Sequence, residues 1–112
     1  MKERPQAVQG RTYAFETPCG KIFSVCNDDA EGRIFEVFCI LGKAGGCGAA
    51  TNNSLGRSIS IGLRSGADPQ SYVKTLMGVE CANSGSGRPS CVSCVAKAIE
   101  EHEKEKAREE KK

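Results

Sequence analysis

The stretch RTYAFETPCGKIFSVCNDDAEGRIFEVFCIL, residues Arg11–Leu41, decides the fold. Tyr13 and Phe15 alternate with smaller residues, Thr17-Pro18-Cys19-Gly20 breaks the run, and Ile22 to Val25 resumes it. That pattern predicts two strands around a Pro/Gly turn that carries Cys19. Asn27-Asp28-Asp29-Ala30-Glu31-Gly32 is a second turn, with its acidic side chains hydrating it. Ile34 to Leu41 is then apolar on both faces apart from Glu36, which predicts a well-covered strand. Three consecutive strands joined by short turns make an antiparallel meander that needs helices over at least one face. The expected class is α+β, a three-stranded antiparallel β-sheet packed by about three α-helices.

Outward from this core, the loop Gly42-Lys43-Ala44-Gly45-Gly46-Cys47-Gly48 opens a helix expected over residues 49–65, with Leu55, Ile59 and Leu63 repeating every four residues and Gly66 capping its end. Asp68-Pro69 starts a second helix as N-cap and first helical residue, with Val73, Leu76 and Met77 as its apolar stripe. A Gly/Ser-rich loop, residues 82–89, separates Cys81 from Cys91. A last helix follows, with a short apolar face of Val92, Val95, Ala96 and Ile99. Beyond Ile99 the chain is almost wholly charged, which predicts a solvated helical extension that includes the sole histidine, His102. The expected layout is a flexible lead-in over residues 1–10, a domain over 11–102 and a charged helical tail over 103–112.

The length of 112 residues suits one domain with a modest core. With no Trp, that core rests on Ile, Val, Leu and Ala, and a bound metal would add usefully to stability. The amino terminus has no apolar signal-like region and no stretch is long enough for a membrane helix, so the expected setting is cytoplasmic with no membrane partner. A net charge of +2 without a basic stripe gives nucleic-acid binding no electrostatic support.

Seven cysteines carry what chemistry the chain offers. Cys26 and Cys39 fall inside strand-like runs, where a cysteine is most simply a small buried hydrophobe. Cys19, Cys47, Cys81, Cys91 and Cys94 stand in turns or at helix starts. In a reducing compartment clustered thiols point to metal or catalysis more than to disulfides. Four thiolates suit tetrahedral zinc, and thiol pKa falls at helix N-termini, the context of Cys47 and Cys91. Cys91-Val92-Ser93-Cys94 is also a C-x-x-C at a helix start, able to cycle through a disulfide, although the strand-helix-strand context of a thioredoxin-like site is missing. Unconnected thiols in a Gly-rich chain are the third reading, and spacing alone leaves all three open. Phosphate binding by the loop around Lys43 matches neither a Walker loop nor G-x-G-x-x-G. No Ser/His/Asp or Cys/His set exists except through His102.

Thr17-Pro18-Cys19-Gly20-Lys21, Phe35-Glu36-Val37-Phe38, Leu41-Gly42-Lys43-Ala44-Gly45-Gly46-Cys47, Leu63-Arg64-Ser65-Gly66-Ala67-Asp68-Pro69 and Gly78-Val79-Glu80-Cys81 together resemble the TSCPD domain. That domain stands at the carboxyl end of adenosylcobalamin-dependent ribonucleotide reductases and also occurs alone. The resemblance spans roughly residues 10–102. It departs at the naming motif, where this chain reads Pro89-Ser90-Cys91-Val92-Ser93; helix register favours Cys91 over Cys94 as the motif cysteine. The resemblance implies a metal, expected to be zinc, on Cys19, Cys47, Cys81 and Cys91. It also implies a non-catalytic accessory module of deoxyribonucleotide synthesis with a reductase catalytic subunit, or less readily nucleic acid, as partner. The cobalamin site belongs to a larger barrel and is not expected in this chain. A weaker similarity, in the order of strands and cysteines, is to the iron–sulfur cluster assembly scaffolds. That likeness implies Cys19, Cys47 and Cys91 as core ligands and an iron–sulfur cluster as the alternative cofactor. A thiol relay through Cys91 and Cys94 that re-reduces a reductase is the other alternative.

Overall fold

The structure, a computed structural model, describes residues 4–17, 20–42, 46–80 and 90–110, without the side chains of residues 46, 47 and 110. Three strands, β1 (Gln9–Thr17), β2 (Gly20–Asp28) and β3 (Ile34–Leu41), form one antiparallel sheet in the order β1-β2-β3. Three helices follow: α1 (Gly46–Arg64), α2 (Pro69–Leu76) and α3 (Cys91–Glu110). The meander and the α+β class are as the sequence predicts. β1 starts two residues before Arg11, and α1 starts three residues before Ala49.

Register explains which side chains are inside. Ile22 pairs with Phe15 and Leu41, Ser24 with Tyr13 and Cys39, and Cys26 with Arg11 and Val37, so these positions share one face. On that face Ile22, Cys26, Val37 and Cys39 meet Ile59 and Leu63 of α1, Val73 of α2, and Cys94, Val95, Ala98 and Ile99 of α3 in a single buried cluster. Cys26 and Cys39 are thus core residues, as expected.

Helix α1 lies against the outer edge of β3, which would otherwise present unpaired backbone groups. Ser60 Oγ accepts from the Val37 N–H at 2.9 Å and sits 3.0 Å from Val37 O and 2.9 Å from Gly56 O, so its one proton serves one of those two carbonyls. The approach needs glycine at position 56, where a Cβ would stand 2.9 Å from Val37 O and 3.0 Å from Cys39 N. Gly66 ends α1 with φ +100°, and the Ala67 N–H bonds back to Gly62 O at 2.9 Å. Asp68 caps α2, its side chain accepting from the Gln70 N–H, with Pro69 at the first helical position.

Two expectations need correction. Strand β3 is not covered on both sides: Phe38 is 40% and Ile40 52% exposed, because the helices pack on the inner face and along the edge. His102 is not solvated but fully buried. It lies one and two turns beyond Ile99 and Val95 on the stripe that α3 lays on the sheet. Its Nε2 is 2.9 Å from Asp28 Oδ1 and its Nδ1 3.3 Å from Arg11 Nη1. A guanidinium only donates, so Nδ1 is the acceptor and the proton sits on Nε2, donated to Asp28. Lys106 Nζ reaches the same Asp28 oxygen at 3.0 Å and Gly32 O at 3.1 Å. Burial alone would lower the Lys106 ammonium, but hydrogen bonds to Glu103 and Asp28 outweigh it and raise it above its ordinary value. The inner stripe of α3 is therefore docked beyond Ile99, through His102 and Lys106, while Lys104 and residues 107–109 are exposed, and Asp28 holds α3 rather than hydrating its turn. Arg4 reaches the sheet at Glu36.

Glu36 is 2% exposed and accepts from Asn27 Nδ2 at 2.8 Å, Arg4 Nε at 2.6 Å and Arg64 Nη2 at 2.9 Å. Burial would raise its carboxyl, but the bonds from Arg4 and Asn27 and the charges of Arg4 and Arg64 win and lower it. A carboxylate depressed in the fold stabilises above its unfolded value of about 4.3 and loses that contribution as pH falls through its folded value. The wild-type melting temperature is therefore expected to fall more steeply than that of Glu36→Gln below about pH 4. Parallel acid limbs in thermal melts would rule this out.

Candidate metal centre

Thr17, at the end of β1, is 1% exposed and donates from Oγ1 to Gly20 O at 2.8 Å, closing the span that holds Cys19. The same oxygen lies 3.6 Å from the Sγ of Cys91, the first residue of α3. Ser90 is the N-cap of that helix: its Oγ accepts from the Ser93 N–H at 3.0 Å and donates to Val79 O. Ser93 Oγ in turn accepts from the Gly78 N–H at 3.2 Å. The residues just before Cys81 are thereby stitched to the start of α3.

The fourth segment arrives from β3. Leu41 pairs with Ile22, and the Gly42 N–H donates to Lys21 O at 2.7 Å, so β3 leaves the sheet beside the β1–β2 turn. A Cβ at Gly48 would meet Leu41 Cδ2 at 3.2 Å, which sets the first turn of α1, with Cys47 as its second residue, against the same strand end. Cys47 and Cys91 both stand in first helical turns, where unpaired backbone N–H groups favour negative charge. The described flanks of Cys19, Cys47, Cys81 and Cys91 gather at one end of the sheet.

Cys19, Cys81 and the side chain of Cys47 lie outside the described residues, as do positions 43–45 of the loop weighed for phosphate binding. Among the described residues no group of three or more His, Cys, Asp or Glu is placed to hold a metal. What the structure does describe is the contrast between Cys91 and the other thiols. Cys91 is half-buried at the rim, while Cys26, Cys39 and Cys94 are buried. Burial pushes Cys26 and Cys39 up to about 12 and Cys94 up to about 11. Those three are kept as neutral, shielded thiols, whereas a ligand must be a thiolate. In the folded, metal-free chain, iodoacetamide at pH 8 is expected to label Cys91 and to spare Cys26, Cys39 and Cys94, read by peptide mass spectrometry. Labelling of Cys94 as fast as Cys91 would contradict this.

The histidine cannot join the thiol end. Asp28 closes β2 at the end opposite Gly20, and eight residue steps of strand span about 26 Å. His102 and Cys91 therefore form no Cys/His pair, and the signal that places His102 is the continuation of the α3 stripe rather than any catalytic spacing. Among the described residues no helix is long and apolar enough to cross a membrane.

These features define a small α+β module with the described flanks of its thiol-bearing segments at one end and a buried ionic clasp at the other. The match to the TSCPD domain family model extends over residues 1–103, and the chain belongs to that family. The family is associated with ribonucleotide reductases. No match was found among curated proteins or among solved structures.

Proposed function

We propose that the chain is a zinc-binding accessory module of ribonucleotide reduction, with Cys19, Cys47, Cys81 and Cys91 as ligands and a reductase catalytic subunit as partner. The observation that carries the proposal is the 3.6 Å contact between Thr17 Oγ1 and Cys91 Sγ, which joins the turn holding Cys19 to the start of α3. The stitching of Val79 to Ser90 and the seating of α1 on Leu41 bring the other two segments to the same end. Bound zinc would tie together segments that are far apart in sequence, a structural role that closed four-thiolate sites serve. The chain itself presents the thiols, orients Cys91 through the Ser90 cap and shields the remaining described cysteines.

Burial of Cys94 speaks against the relay, because a C-x-x-C redox pair needs its thiols accessible for exchange. Cobalt(II) added anaerobically to the metal-free chain tests the ligand set. Four thiolates around cobalt give intense visible absorption with sulfur-to-metal charge transfer. That spectrum is expected in wild type and in Cys94→Ser, and is expected to weaken in Cys91→Ser and Cys47→Ser. The same spectrum in Cys91→Ser as in wild type would remove Cys91 from the set.

A further inference from the structure

Positions Phe23 and Val25 of β2 point away from the core, and register sets Phe23 beside Ala14 and Ile40, and Val25 beside Thr12 and Phe38. These two rows make a continuous apolar patch on the outer face, with Phe38 and Ile40 among the large apolar side chains most open to solvent. Among the described residues no helix lies over it. Ile61 of α1, 58% exposed, extends the patch sideways: it shares a helical stripe with Arg57 and Arg64, and Arg64 reaches Glu36 on this same outer face. Contiguous exposed apolar surface with a polar rim marks an interaction site.

The rim charges decide the partner. At the turn end, Lys21 and Glu16 pair at 3.7 Å and cancel. Along the α1 border, Arg57, Arg64 and Arg4 stand against a single carboxylate, that of Glu36, which is buried and already shared by Arg4 and Arg64. The border is therefore cationic. A second copy would offer the same excess of cations, setting positive charge against positive charge, so the face does not suit itself. Three strands about 4.8 Å apart span about 10 Å, the diameter of one helix. We propose that this outer face docks an acidic amphipathic helix of a partner protein, its apolar stripe on Phe23, Val25, Phe38 and Ile40 and its carboxylates toward Arg57 and the Arg4–Arg64 border.

The test uses the full chain, isotopically labelled for NMR, and a designed probe: an acetylated helical peptide of about fourteen residues with leucines at i, i+3, i+4 and i+7 flanked by glutamates. Its counterpart has lysines in place of the glutamates. Saturable shifts confined to the outer face, with the lysine peptide at least about tenfold weaker, are expected. Ile40→Lys is expected to abolish binding. Arg57→Glu, at an exposed position that leaves the core untouched, is expected to weaken the glutamate peptide about threefold to tenfold and to strengthen the lysine one. Equal binding of both peptides, shifts elsewhere, or indifference to both substitutions would overturn the proposal. So would a dimer in sedimentation that Ile40→Lys dissolves. Metal content is measured separately on the same samples, so failure here is distinct from failure of the zinc site.

Discussion

Treatment of the purified chain with a strong chelator is expected to collapse its cooperative thermal unfolding, lowering the midpoint by about 20 °C or more. A domain of this size has only about 5–15 kcal/mol of net stability. Structural zinc on thiolates supplies on the order of 10 kcal/mol of apparent folding energy in small domains. In this fold the metal would join segments far apart in sequence at the end of the sheet where Cys91, partly buried, packs against the core cluster. The measurement is far-UV circular dichroism with and without chelator, followed by zinc add-back. Recovery of the original midpoint with zinc is expected, and a midpoint indifferent to chelator would oppose a structural metal.

The second large effect is expected from His102→Ala, at about 2–4 kcal/mol of destabilisation. The imidazole is fully buried, so its removal leaves a cavity between α3 and the sheet. It also takes a donor from Asp28 and an acceptor from Arg11, leaving Asp28 paired with Lys106 and Arg11 with Glu109. In melting temperature the loss corresponds to roughly 10 °C for a chain of this length. His102→Gln, whose amide can both donate and accept, is expected to recover part of it. A change within about 0.5 kcal/mol, as for a solvated helix position, would contradict the clasp.

That histidine also shows where sequence reading stops. Strands and turns were legible from period-two alternation and from Thr17-Pro18-Cys19-Gly20, and α2 from Asp68-Pro69, because these signals are local. The burial of His102 is tertiary: α3 crosses the sheet, so its inner stripe stays covered after the apolar residues end at Ile99. Helical spacing from Val95 through Ile99 to His102 and Lys106 is the signal that could have found it. Glu36 similarly read as an isolated exception in an apolar strand, since its partners Arg4 and Arg64 lie 32 and 28 residues away. Apolar residues on both sides of β3 suggested cover on both sides, yet the helices supply it only on the inner face. For the thiols, spacing left metal, redox and unconnected readings open, and what narrows them is spatial: the meeting of Thr17 with Cys91 and the burial of Cys94.

The most direct test of the metal proposal is elemental analysis for zinc and iron on chain purified anaerobically without added metal. About one zinc per chain, with no stoichiometric iron, is the predicted result. A folded chain carrying neither metal, or iron with matching sulfide in place of zinc, would contradict it.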